Sequence, residues 1–144
     1  MKKLLASIVL ALMVIALPVG LVGCKNKSGS NDPIVGNYKF AYAYTSDGSD
    51  VSTYLDSKGI SELYHEGWNF YANKTARDTW NGEEGDVYNW KNNGNGKYTI
   101  SYEEKGRTYD GYRTFFIKDK LKIAMVYPEK KEGWPVIYIV YERK

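Results

Sequence analysis

The sequence predicts an all-β fold, a barrel of roughly eight antiparallel strands joined up and down. Three observations predict it. Apolar side chains recur at every second position through most of the chain after residue 33. Turn-forming residues interrupt that alternation at short, regular spacing. The fourteen Tyr, four Trp and four Phe all lie in this same stretch, so the segment carries enough ring surface for a core. Strict alternation marks half-buried strands, and short strands spaced about 8–12 residues apart close into barrels or sandwiches.

Residues 35–44 open the pattern, with Tyr38, Phe40, Tyr42 and Tyr44 alternating with Lys39, Ala41 and Ala43. Residues 50–58 break it. Ser49 and Asp50 offer a cap, Gly59 offers a stop, and Val51, Tyr54 and Leu55 fall at i, i+3 and i+4, which predicts one short helix. A helix of that length is marginal alone and must lay its apolar stripe on something, most simply one mouth of the barrel. The second strand is expected over 62–72, with Trp68 and Phe70 on one side and Asn69 and Tyr71 on the other. Asn73-Lys74 turns the chain into 75–80, and Asn81-Gly82 turns it into 86–91. The run from Asn92 to Gly96 leads to 97–103, where Tyr98, Ile100 and Tyr102 share a face. Glu104-Lys105-Gly106 leads to 107–117, and Lys118-Asp119 to 120–127. A charged loop between Pro128 and Pro135 precedes the last strand, 135–142.

The first 33 residues read differently. Lys2 and Lys3 precede residues 4–22, which carry no charge, and this is the pattern of an export signal. Leu21-Val22-Gly23-Cys24 follows, and Cys24 is the single cysteine of the chain. The segment resembles the lipobox of bacterial lipoproteins. That resemblance implies a signal helix over 1–23, removed by cleavage before Cys24, and a diacylglyceryl group on the Cys24 thiol. Two acyl chains anchor stably where one does not. An uncleaved anchor helix is the alternative, because the apolar run is close to bilayer-spanning length. Residues 24–33 read as the lipidated cysteine and a flexible polar tether, and 34–144 as the folded domain. Either anchor places that domain on the extracytoplasmic face of the cell membrane. One cysteine permits no internal disulfide, so the domain has to hold together by its core.

Four of the twenty Lys and Arg and one of the seventeen acids precede residue 34, which leaves sixteen of each in the domain. A neutral domain argues against nucleic acid as a partner, since that binding rests on excess positive charge. His65 is the only histidine, and Glu66 beside it points to the opposite face if both lie on a strand. No nucleophile elbow and no phosphate-cradling glycine loop is present. The carboxylates of Glu83, Glu84 and Asp86 match no calcium-loop spacing and read as a solvated turn. The sequence therefore predicts neither an enzyme nor a metal or cofactor site. Tyr42, Trp68, Phe70, Trp90, Tyr102, Phe116, Met125 and Tyr138 are the bulky candidates for the barrel interior or mouth. An eight-stranded barrel is just wide enough to be filled by such side chains or to hold one small ligand.

Several segments taken together resemble lipocalin-like domains. Ile34-Val35-Gly36-Asn37-Tyr38 resembles the opening Gly-x-Trp strand, with Tyr38 where Trp is usual. Phe70 to Thr75 resembles a strand ending in an Asp-Gly-Thr turn. Trp90-Lys91 with Lys97-Tyr98-Thr99-Ile100 resembles the Trp-bearing strand and hairpin. Lys118-Asp119-Lys120-Leu121 resembles the Gly-Asp-x-Leu hairpin, and Tyr141-Glu142-Arg143-Lys144 a common ending. With the lipobox, the chain resembles the small lipocalin-like lipoproteins of bacteria. This implies an up-and-down barrel and no particular ligand. The expected function is binding: a small apolar or amphipathic ligand at the open mouth, by a monomer. The alternative is a filled barrel that contacts other proteins, as an envelope assembly factor or protease inhibitor, through loops such as 81–86 and 128–135.

Overall fold

The computed structural model of the chain describes residues 32–129 and 131–144. The expected signal helix, Cys24 and most of the tether lie outside the described residues. The domain is all β apart from one short helical connection. Its strands are β1 (Gly36–Thr45), β2 (Glu66–Phe70), β3 (Thr75–Trp80), β4 (Glu83–Asn92), β5 (Lys97–Glu104), β6 (Arg107–Ile117), β7 (Lys122–Val126) and β8 (Ile137–Arg143). Each pairs antiparallel with the next, and β8 returns to β1, so the sheet closes into an up-and-down barrel. The turns are those the residues dictate. Asn81-Gly82 and Lys105-Gly106 join their strands by two residues with positive φ, the mirror-image turn whose twist suits a hairpin.

The connection from β1 to β2 differs from the expected helix over 50–58. Asp50 caps a single 3-10 turn, Val51–Thr53, and the α-helix α1 occupies Ser57–Leu63. Asp56 supplies the reason: its carboxylate accepts the Gly59 N–H at 2.7 Å, so Gly59 sits in the first turn of the helix instead of ending it. Leu55 and Leu63 are buried, and Val51, Tyr54 and Ile60 pack against the core, so the connection covers the mouth formed by the end of β1 and the start of β2.

Inside, Phe115 is fully buried, with its ring 5.1 Å from Trp68 and 5.2 Å from Phe70. Tyr98, Ile100, Ile123, Ile139 and Tyr141 complete the layer. The opposite mouth is shut. Ile34 is fully buried there, and the Tyr38 hydroxyl donates to its carbonyl at 3.0 Å while accepting from Arg143 Nη2 at 2.8 Å. Trp90 closes the same end, its indole N–H on the Tyr71 carbonyl at 3.0 Å and Lys74 Nζ 3.9 Å above its ring.

Candidate functional site

The open space of the barrel lies under the helical connection. A cavity of about 170 Å³ is walled by Trp68, Trp80, Tyr88, Tyr112, Met125, Tyr127, Leu63 and Pro128. An apolar cavity of about 150 Å³ takes benzene, so this one admits a single ring or the head of a longer molecule. Into the same space face Glu66, Asp78 and Arg113.

Strand parity explains how charged groups reach the interior. Glu66 is two residues before Trp68 and four before Phe70, so it shares their inward face at the mouth end of β2. Arg113 is in phase with Phe115 and pairs across the ladder with Ile100. Asp78 lies opposite Trp68 on β3. The irregular register between Arg77 and Thr79 allows β4 to bow around Asp78, and a Cβ on Gly85 would come within 2.6 Å of Asp78 Oδ1.

Their electrostatics follow from partial burial. Burial pushes the Glu66 carboxyl above its usual range, opposed by the Tyr141 hydroxyl, which donates to Oε2 at 3.0 Å, and by the nearby Arg113 charge. Burial likewise raises Asp78, opposed by a hydrogen bond from the Asp86 backbone N–H to its carboxylate, and among the described residues its buried Oδ1 has no hydrogen-bond partner. An unpaired buried acceptor costs about 1–3 kcal/mol. The Tyr141 and Tyr88 hydroxyls are held neutral well above the ordinary tyrosine range, mainly by burial. Arg113 folds its guanidinium 3.9 Å over the Tyr112 ring and donates to the Tyr112 hydroxyl and carbonyl. Among the described residues no carboxylate lies within ion-pair distance of it.

A raised carboxyl pKa gives stability a definite slope with pH. The folded chain keeps the Glu66 proton that the unfolded chain releases, so stability falls as pH rises from the ordinary glutamate range through the raised value. Glu66→Gln is expected to remove that loss. Urea midpoints of the two proteins should coincide in acid and separate in favour of Gln towards neutrality. A separation that does not change with pH would mean that Glu66 is not desolvated by the fold.

Of the eight interior candidates, the structure brings Trp68, Phe70, Trp90 and Met125 into the core. Tyr102 stands half-buried near the open mouth, its ring 4.9 Å from that of Tyr112. Tyr42, Phe116 and Tyr138 lie on the outer face, which corrects their assignment to the interior. Phe116 pairs with Ala124, Ala124 with Val140 and Val140 with Tyr42, a stripe that excludes the core residues Phe115, Met125 and Ile139. Tyr44 and Tyr138 stack at 5.1 Å beside it, each covering one face of the other. Cys24 lies outside the described residues. His65 is exposed, and its Nδ1 meets Asn81 Oδ1 at 2.6 Å. Glu83, Glu84 and Asp86, expected in a solvated turn, lie instead on β4, because the two residues Asn81-Gly82 complete the reversal; there Glu84 is held by Tyr71, by Asn69 at 2.8 Å and by Arg77 at 3.5 Å.

Sequence reasoning missed Glu66, Asp78, Tyr88, Tyr112 and Arg113. A signal for two of them was present: Glu66 and Arg113 fall in phase with rings that must be buried. No family model, no curated protein and no solved structure matches the chain.

Proposed function

We propose that the chain is a small lipocalin-like lipoprotein, tethered through Cys24 to the extracytoplasmic face of a membrane, which binds a small amphipathic ligand at the helix-covered mouth. One observation carries the reading: a cavity walled by aromatic rings into which two partly buried carboxylates and an arginine face. The apolar body of the ligand would lie among Trp68, Trp80 and Tyr112. Its head would donate to the carboxylates of Asp78 and Glu66. The closed up-and-down barrel supports the lipocalin-like part, and the export pattern with the Leu-Val-Gly-Cys segment supports the anchor.

Native mass spectrometry of the full chain, purified gently from its own host, is expected to show a retained molecule of about one ring with a polar head. Trp80→Ala opens the wall of the cavity and should lose it. A clean ligand-free mass from the unmutated chain would overturn the reading. It would leave the second one, a protein-interaction module, which is favoured by a tightly filled barrel centre and by the exposed Tyr64, Trp80, Val87 and Leu121.

A further inference from the structure

Next to the mouth the barrel wall is open. The ladder between β4 and β5 joins only residues from Asn89–Asn92 to residues from Tyr98–Ser101. Yet β4 starts at Glu83 and β5 continues to Glu104, because their outer edges stay paired, with β3 up to Trp80↔Glu83 and with β6 up to Glu104↔Arg107. Among the described residues, therefore, no strand lies between the facing edges of Glu83 to Tyr88 and of Tyr102 to Glu104. Register shifts in both flanking ladders, between Arg77 and Thr79 and between Ile100 and Tyr102, bend the two strands apart there.

A cleft of about 450 Å³ occupies the gap. Tyr88, Tyr102 and Tyr112 line it with rings in mutual contact, Tyr88 stacked on Tyr112 at 5.6 Å and Tyr102 edge-on to Tyr112 at 4.9 Å. Asp86, Glu103 and Glu104 line it as well; among the described residues its lining contains no cation, and the Arg113 guanidinium lies over the ring of Tyr112. Exposed strand edges are templates for pairing, and proteins that avoid this guard such edges with lysine, proline or a covering segment. None of these covers the cleft among the described residues.

From the unpaired edges, the tyrosine floor and the acidic rim, we infer that this cleft accepts an extended segment of a partner protein by strand addition, and that the segment alternates apolar and basic residues. Main-chain groups of β4 or β5 would hold its backbone. Alternate side chains of an added strand point to opposite sides, so its inner row meets the tyrosine rings, with Asp86 and Glu104 in the phase of Tyr88 and Tyr102, and its outer row meets Glu103. The inference rests on strand edges and charge, and it stands whether or not the mouth cavity takes a small ligand.

The probe is a fluorescent, end-blocked hexapeptide of alternating Lys and Val, titrated by anisotropy against the full chain in zwitterionic micelles. Saturable binding is expected, with slower amide exchange in 84–88 and 102–104. A peptide N-methylated at every residue has no N–H to give to either edge and should bind at least tenfold more weakly, as should a Glu-Val peptide. The exposed double change Glu103→Lys and Glu104→Lys should weaken the Lys-Val peptide to a similar degree in the same micelles. Absence of binding, equal binding of the N-methylated or Glu-Val peptide, or unchanged binding to the double variant would each overturn the proposal.

Discussion

Phe115→Ala is expected to destabilise the domain by about 3–5 kcal/mol, the range for removing a buried phenylalanine ring without refilling its space. Phe115 is fully buried and touches two other rings, Trp68 and Phe70, edge-on. Loss of those contacts adds to the loss of buried area. For a domain whose whole stability is on the order of 5–15 kcal/mol, this approaches the unfolding threshold. With a urea dependence of about 2 kcal/mol per M, the midpoint should fall by about 2 M. Its neighbour provides the control. Phe116 is half-buried on the outer face, and Phe116→Ala should cost about 1 kcal/mol. Equal losses at the two positions would mean that the register of β6 against β7 is wrong, and with it the inward set.

Cys24→Ser is expected to abolish membrane attachment of the mature domain. Serine offers no thiol for the acyl group, and the polar tether of residues 25–33 offers no second apolar anchor. The protein should either appear in the medium or remain as an unprocessed precursor, without incorporated fatty acid in both cases. Anchoring by two acyl chains is close to all-or-none, so wherever the signal is still cleaved fractionation should show a shift of nearly the whole population, whereas an unprocessed precursor keeps the apolar run 4–22 and stays with the membrane. Survival of lipid labelling in the variant would remove the lipoprotein assignment. Retention as an unlabelled, uncleaved protein in both the variant and the unmutated chain would favour the signal-anchor alternative.

The two charged residues that reach the cavity from β2 and β6 show what was readable in advance. Glu66 keeps the two-residue phase of Trp68 and Phe70, and Arg113 that of Phe115. Periodicity carried the information, and reading rings and charges as separate classes hid it. Asp78, Tyr88 and Tyr112 were less accessible. They meet only because β4 bows past Asp78 and because β6 gains residues against β5 near Tyr112; each irregularity carries a glycine inside its strand, Gly85 and Gly111, a bulge signal that the alternation reading passed over.

The bulge in β1 is the sharpest case. Tyr38, Phe40, Tyr42 and Tyr44 alternate without interruption in the sequence, and unbroken pleating would turn all four the same way. Between Phe40 and Tyr42 the register with β8 slips by one, so Tyr38 and Phe40 face the core while Ala43 and Thr45 replace Tyr42 and Tyr44 on the inner side. A mouth that must hold α1, Leu55 and Trp134 favours alanine and threonine there over two tyrosines.

Local chemistry alone thus determined the strand-rich class, the number of strands, the sites of the tight turns and the presence of a helical cover, since alternation and turn residues act over a few positions. Which face of each strand is inside, where the ladder stops, and that carboxylates and an arginine share one cavity were decided only when the sheet closed. Closure imposes one register on eight strands together, and the misfit it leaves is absorbed by bulges whose place a glycine can mark but whose register a local pattern does not set.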